Sequence, residues 1–406
     1  MMNKKKIWIR LLATVIISVT SINGGEAIAN QTKFSSGTKQ LIEGLYTDDL
    51  KAAQLFQQGV RLYFAGDYAD AEQILKAALK HDPWMAIAYH LLGNTLVEQQ
   101  KVAEAIYQYQ QAVNLQPYLT EAQYNLGIAL YRQGDLSKAA RQFEWMIAAK
   151  PDFAPAYYNL GLTLADQGRL LPARFAYEQA IALQPQNAPA YYQLSLILAQ
   201  QDQLTEAITS LERATEIDPE FAAAYYQMGI LYTQQEELAL AKDNFAIATR
   251  IEPHNALAQY ELGVILAELG EQDAASQQFD VVTRLERYNA NAWQQAGISK
   301  LQRGDLGNAI VNLQRAVRLN SDDALGHYNL GVAYQRSSMY EEAIASYEQA
   351  ISLNPSLTDA LYNLGISLQK LGQSQASVTF LRQARSLYTE QGNWEKVKQV
   401  DLLIRE

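Results

Sequence analysis

The sequence predicts an all-α fold, an α-solenoid of about ten 34-residue helix–turn–helix repeats, and three ladders of residues predict it. Gly stands at 59, 93, 127 and 161, then at 229, 263, 297, 331 and 365, in steps of 34, with Ser195 in the one gap. Ala stands at 71, 105, 139, 173, 207, 241, 275, 309 and 343 in the same steps, followed by Ser377. Pro stands at 83, 117, 151, 185, 219, 253 and 355, with Arg287 and Ser321 in the vacant slots. Three ladders of one period without an insertion mark stacked supersecondary units, each burying its apolar face against the next.

The elements follow in chain order. Lys4, Lys5, Lys6 and Arg10 precede an apolar run, Leu11 to Val19, and Ala27-Ile28-Ala29 offers small residues before a cleavage point. This is the three-part plan of a secretory signal. The run is too short to span a bilayer comfortably, and the chain has no Cys for a lipid anchor, a disulfide or a thiolate ligand. Cleavage after Ala29 is expected, with the working chain in the periplasm or an equivalent extracytoplasmic space. The alternative is an uncleaved N-terminus that anchors the chain. Residues 1–29 carry four basic residues against Glu26, so their loss takes the net charge from −10 to −13. Residues 30–51, rich in Ser, Thr and Gly, read as a linker.

Residues 52–391 divide into ten repeats: 52–85, 86–119, 120–153, 154–187, 188–221, 222–255, 256–289, 290–323, 324–357 and 358–391. The Gly and Ala ladders lie on two short helices, where small side chains allow close approach. Pro closes the second helix, because it cannot continue one. A turn inside the repeat is marked by Gly66, Gly134, Gly168, Gly270, Gly304 and Gly372, which accept a left-handed backbone. Between the breakers apolar residues recur at helical spacing, as at Leu126, Leu130, Ala139, Phe143 and Ile147, and at Leu330, Tyr334, Ala343, Tyr347 and Ala350. Looser junctions are expected where the Pro or the ladder Gly is missing. Residues 392–406, with Trp394, Val397, Val400 and Leu403 between charges, read as an amphipathic helix that caps the stack.

The series Tyr157, Leu160-Gly161, Leu164, Ala173, Tyr177, Ala180 and Pro185 resembles the consensus of the tetratricopeptide repeat family. The resemblance covers 52–391. It implies a right-handed superhelix whose first helices line a concave face that binds protein or peptide partners, with no cofactor. Relatives that clamp a C-terminal carboxylate use Lys at the fifth residue of a repeat and Asn at the ninth. This chain has no Lys at the fifth, and only Asn94 at the ninth. The plan of a signal followed by repeats is also similar to the exported cyanobacterial repeat proteins of the processing-associated group, which assist photosystem II assembly.

Along the first helices the fifth residue is Tyr in seven repeats: Tyr124, Tyr158, Tyr192, Tyr226, Tyr260, Tyr328 and Tyr362. The ninth is aliphatic in nine, from Val60 to Ile366. This face either packs on the neighbouring repeat or forms a groove for a peptide, where Tyr joins a large contact area to a polar tip. The sixth residue is an amide in eight repeats, among them Asn125, Asn159, Gln193, Gln227, Asn329 and Asn363. An amide both donates and accepts, so such a ladder can hold an extended backbone; its resemblance is to the asparagine ladder of the O-linked N-acetylglucosamine transferase family. Bonds between adjacent repeats are the alternative use. The candidate peptide site is therefore these seven Tyr with these six amides.

Enzymatic readings find no support. His81, His90, His254 and His327 are scattered, without the spacing of a metal pair on one helix. No phosphate-cradling loop or nucleophile motif appears, and a net charge of −10 argues against a nucleic-acid partner. The expected function is an exported scaffold for protein–protein interaction, in assembly or maturation of a membrane or envelope complex, peripherally associated and without a membrane span in the mature chain. Divalent metal delivery through acidic pairs such as Glu236-Glu237, and adaptor work in polysaccharide or pilus export, are the alternatives.

Overall fold

The computed structural model describes residue 47 and residues 49–405. The expected export signal, its cleavage point and the expected linker up to residue 46 lie outside the described residues. Every regular element among the described residues is a helix. The chain divides into two compact bodies, the division falling between Pro219 and Glu220.

The N-terminal body holds α1 (Leu50–Ala65), α2 (Tyr68–His81), α3 (Ala86–Glu98), α4 (Val102–Leu115), α5 (Thr120–Gln133), α6 (Leu136–Ala149), α7 (Ala154–Asp166), α8 (Leu170–Leu183), α9 (Ala188–Gln200) and α10 (Leu204–Ile217). The C-terminal body holds α11 (Ala222–Gln234), α12 (Leu238–Ile251), α13 (Ala256–Glu268), α14 (Gln272–Leu285), α15 (Ala290–Arg303), α16 (Leu306–Leu319), α17 (Ala324–Arg336), α18 (Tyr340–Leu353), α19 (Thr358–Lys370), α20 (Ser374–Glu390) and α21 (Trp394–Arg405). Within each body every helix packs on the next in sequence, so each is an α-solenoid of helix pairs. Helix α1 starts two residues before the expected first repeat, because Asp49 caps it by accepting from the Ala52 N–H at 2.9 Å.

The Gly ladder runs along the first helix of each pair, and a bulky side chain of the second helix lies over it. Tyr109 covers Gly93, Phe143 covers Gly127, Tyr177 covers Gly161, Phe245 covers Gly229, Phe279 covers Gly263 and Tyr347 covers Gly331. A Cβ on Gly161 would stand 2.5 Å from Tyr177 Cε1, far inside van der Waals contact. These rings are buried, each contributing roughly 1.5–3 kcal/mol through removal from water. Ser195 also lies in the core and donates to the Tyr192 carbonyl at 2.6 Å, so its hydroxyl needs nothing from the second helix.

The outer turns do not depend on Pro. Helices α14 and α16 stop at Leu285 and Leu319, two residues before Arg287 and Ser321, as α12 stops at Ile251 two residues before Pro253. Asn289 and Asp323 then cap the next helices, accepting from Ala292 N at 3.1 Å and Leu325 N at 3.0 Å. The looser junction expected there is not seen in the helix ends. Polar clasps also join successive pairs. Glu72 accepts from Lys101 Nζ at 2.8 Å and Gln99 Nε2 at 2.9 Å, and Arg174 donates to Gln203 at 2.8 Å.

At the C-terminal end Val397 and Val400 of α21 are buried with Leu381, Ala384 and Tyr388 of α20, and Arg385 donates to Asp401 at 2.6 Å. Trp394 departs from the expected buried stripe. It is 61% exposed, because it opens the helix before the first turn reaches α20.

The inner turns hold a difference that sequence ladders did not show. Six glycines sit at φ between +75° and +84°, and at the equivalent positions Gln100, Asp202, Glu236 and Ser338 keep φ of 60° to 62°. A side chain in this region costs roughly 1–2 kcal/mol. Glu236→Gly and Ser338→Gly are therefore expected to stabilise the protein by about 0.5–1 kcal/mol each, after the extra chain entropy of the unfolded glycine. Thermal and urea unfolding of each variant against wild type checks this, and an unchanged or lowered midpoint contradicts it.

Candidate functional site

The fifth residue of each repeat points into its own helix pair more than the sequence suggests. Tyr158 packs on Tyr177 at 6.0 Å between centroids, Tyr226 on Phe245 at 5.6 Å, Tyr260 on Phe279 at 5.6 Å and Tyr328 on Tyr347 at 6.0 Å. Tyr124 pairs with Phe143 at 6.3 Å and Tyr362 with Tyr388 at 6.2 Å. In five of these pairs the ring that covers the glycine also receives the fifth-position Tyr; Tyr362 meets Tyr388 instead, and Leu381 covers Gly365. Tyr158, Tyr192 and Tyr226 are buried, Tyr158 completely so, and have no ring surface to offer a ligand. Three of the seven Tyr expected to line a groove therefore belong to the core. Tyr124, Tyr260, Tyr328 and Tyr362 are half-buried. Burial raises the phenol pKa of Tyr124 and of Tyr260 to about 12, so both stay neutral.

Three of the sixth-position amides, Asn125, Asn159 and Asn363, reach back to the preceding repeat. Asn159 Nδ2 donates to the Tyr124 hydroxyl at 2.8 Å and to its own helix at the Pro155 carbonyl at 2.9 Å. Asn363 Nδ2 donates to the Tyr328 hydroxyl at 3.4 Å. These bonds span 35 residues, one repeat plus one position, so they fasten successive first helices. Asn159 and Gln227 are buried, while Asn125, Gln193, Asn329 and Asn363 keep part of their surface. Where an amide is both bonded and buried, its part in the ladder is structural.

One junction is built differently. His90 replaces the fifth-position Tyr, and Asn94 replaces the aliphatic ninth residue. Asn125 Nδ2 lies 3.0 Å from His90 Nε2 and 2.9 Å from Asn94 Oδ1, and the Tyr109 hydroxyl donates to Asn94 Oδ1 at 2.8 Å. The amide N–H needs an acceptor, which assigns His90 the neutral form with its proton on Nδ1. Burial lowers its pKa to about 4, against the weaker upward pull of Glu121.

The two bodies differ at the ninth residue. In the N-terminal body Val60, Ile128 and Leu162 are buried, and Leu196 alone among its aliphatic ninth residues is half-buried. In the C-terminal body Ile230, Val264, Ile298, Val332 and Ile366 are half-buried, and with Tyr260, Tyr328 and Tyr362 they leave an apolar stripe open to solvent along the first helices. The same helices carry a residue that the amide count hides. Glu261 takes a sixth position as an acid and is 9% exposed. Burial, with the like charge of Glu268 adding to it, pushes its pKa up to about 7.

Among the described residues no group of three or more His, Asp or Glu converges as metal ligands. No described helix is long and apolar enough to cross a membrane.

Models of the TPR repeat match residues 93–134, 196–236 and 297–338. Further models of the tetratricopeptide repeat match 62–106, 124–176, 176–209, 226–290, 324–357 and 346–379. Together they run from residue 62 to residue 379 with a gap only at 291–296, well over half of the chain. No match is found among curated proteins. Among solved structures, the chain is similar to YrrB, described as a TPR protein with an unusual peptide-binding site, at 27% identity over 46% of this chain and 96% of that one, with a TM-score of 0.44. It is similar to the C-terminal part of a TPR repeat-containing protein from Cytophaga hutchinsonii at 16% identity, over 59% of this chain and 99% of that one, with a TM-score of 0.51. PilF of Pseudomonas aeruginosa is 20% identical over 54% of this chain and 96% of its own, with a TM-score of 0.44.

Two predictions come from the ladder. A double-mutant cycle of Tyr124→Phe and Asn159→Ala is expected to show a coupling energy of about 0.5–1.5 kcal/mol in urea unfolding, the net value of one buried hydrogen bond. Additive losses would mean that the bond does not fasten the repeats. His90, neutral in the fold with its pKa lowered from 6.5 to about 4, contributes stability that is present above pH 6.5 and lost as the pH falls toward 4. His90→Gln is expected to flatten the stability profile over that window. Parallel profiles for variant and wild type would contradict the assignment.

Proposed function

The chain belongs to the tetratricopeptide repeat family, and we propose that it is an exported scaffold that holds a protein partner along the first helices of its C-terminal body. The half-buried stripe of Ile230, Val264, Ile298, Val332 and Ile366 beside Tyr260, Tyr328 and Tyr362 carries this reading. Side chains already held in place by the core lose little entropy when a partner covers them, and each Å² of apolar area then removed from water favours binding by about 25 cal/mol. The half-buried amides Asn329 and Asn363 lie one position after Tyr328 and Tyr362, and add polar groups for a backbone. Non-directional apolar contact with a few fixed polar groups suits binding rather than catalysis.

Export and a role in assembling a membrane or envelope complex are supported by the N-terminal plan of Lys4, Lys5, Lys6 and Arg10, the apolar run and Ala27-Ile28-Ala29. The similarity to exported cyanobacterial assembly factors rests on that same plan. The scaffold would then work beside a membrane complex as a peripheral partner.

Affinity capture from the envelope fraction of the source cell tests the reading, with the full chain and an Ile298→Glu, Val332→Glu variant side by side. Both residues are already partly exposed, so the variant is expected to unfold within about 1 kcal/mol of wild type. It is expected to lose at least one partner that wild type retains. Equal recovery of the same proteins by a folded variant would sink the proposal.

A further inference from the structure

Glu261 breaks the pattern of its own position. In eight repeats the sixth residue is an amide, and at Asn125, Asn159 and Asn363 its N–H reaches back to the preceding repeat. A carboxylate has no N–H to give and cannot repeat that bond in the same direction. Glu261 is nonetheless 9% exposed, as buried as Gln227 and more buried than most of the ladder amides. No hydrogen bond or ion pair within the described residues reaches it. Its oxygens are not among the sealed, unbonded side-chain atoms of the described residues, so the carboxyl still touches solvent.

The surroundings hold no cation for it. The one charge that registers at Glu261 is Glu268, a like charge two turns along α13. Cations on the helices around α13 have partners elsewhere: Lys242 pairs with Glu271, Lys300 with Asp280 and Arg303 with Asp273. Arg250 and Arg284, on α12 and α14, form no ion pair with it among the described residues. At helical spacing Leu257, Glu261, Val264 and Glu268 share one side of α13, and Val264 belongs to the open apolar stripe. An acid kept from water, without a donor, beside a second acid and on a face open to solvent, is a half-made ion pair. A buried carboxylate left alone is costly, and a cation placed opposite it offsets part of that cost.

We propose that Glu261 takes a cationic side chain, a lysine ammonium or an arginine guanidinium, from the partner that lies along the C-terminal body. The proposal rests on the scaffold reading above and gives that face a chemical preference: an apolar segment with one positive charge placed over α13. Glu268, exposed at the end of the same side, draws that charge in and accepts a second donor from a guanidinium. The elevated carboxyl pKa adds a condition, since only the ionised acid can pair. Cation binding is expected to strengthen as the pH rises through about 7.

The full chain and its Glu261→Gln variant are titrated calorimetrically with N-acetyl-arginine amide and N-acetyl-lysine amide, and with the neutral citrulline and norleucine counterparts. At about pH 8 wild type is expected to bind one or both cationic probes ~10-fold more tightly than their neutral counterparts. That preference is expected to shrink by about 5-fold or more near pH 6, where most of the acid is protonated. The arginine and lysine arms show which cation is preferred. Glu261→Gln restores an amide to the ladder, should not lower the melting temperature, and is expected to abolish the preference. Equal affinity for cationic and neutral probes, no binding of any probe, or a preference that survives in Glu261→Gln overturns the proposal. If the variant misfolds, the wild-type comparison and its pH dependence decide alone. A cation preference without a captured partner defeats only the scaffold reading, and capture without a cation preference defeats only this one.

Discussion

The structure depends on one close approach, that of the two helices within a repeat across a small residue, glycine in every repeat but the fifth, where Ser195 takes its place. A Cβ at Gly93, Gly127, Gly161, Gly229, Gly263 or Gly331 would lie within 3 Å of a buried ring. Because nothing projects there, the aromatic ring of the second helix lies flat against the backbone of the first. The Tyr at the fifth position of the first helix then meets the other edge of the same ring, as in the pairs Tyr158–Tyr177 and Tyr260–Phe279. Edge and tilted contacts of this kind add about 0.5–1.5 kcal/mol beyond burial. The repeat is thus a three-layer contact of glycine, ring and ring, and the chain makes it many times over with little variation.

That contact decides which groups face outward. The half-buried Tyr124 and Tyr328 present their hydroxyls along the stack, where the sixth residue of the next repeat bonds to them, while the fully buried Tyr158 hydroxyl receives no such bond. The amide ladder is a consequence of where the rings go. It also explains why ionisable residues at these positions behave as they do. His90 and Glu261 occupy ladder positions meant for neutral polar groups, and burial disfavours the charged form of each. The two are resolved in opposite ways. His90 stays neutral and joins a closed network of Asn94, Tyr109 and Asn125. Among the described residues Glu261 has no such network, and its proposed counter-charge is a partner's cation. A neutral solution makes a joint, and an unsatisfied one makes a site.

Much of this was legible in the sequence. The ladders of Gly, Ala and Pro carried the helix pairs, the turns and the repeat length, because a small residue at a crossing or a Pro after a helix has one dominant physical meaning. The left-handed turns at Gln100, Asp202, Glu236 and Ser338 were not legible, since the stack imposes that backbone whatever residue is present. The ring partner of the fifth-position Tyr was not legible for a related reason. Periodicity places Tyr158 on a face, but it cannot say that Tyr177 from another helix covers that face. Trp394 shows the same limit: its spacing suits the stripe of Val397 and Val400, yet the helix begins too far from α20 to bury it.

The difference between the two bodies is where geometry adds most to the functional reading. Both carry aliphatic ninth residues, and composition alone treats Ile128 and Ile298 as equals. Ile128 is buried and Ile298 is half-open. An interaction surface needs area that is exposed in the free protein and ordered before the partner arrives. The ninth residues of the C-terminal body meet both conditions, because their helices are held by the contact of a glycine with a buried ring or leucine beneath them while their outer edges remain uncovered. The buried ninth residues of the N-terminal body meet only the second. The same body that leaves the stripe open also carries the one acidic rung of the ladder, so shape and charge single out α13 and its neighbours for recognition. A partner suited to that face would bury aliphatic or aromatic side chains along the stripe and bring one positive charge to its middle, and neither feature alone would account for the other.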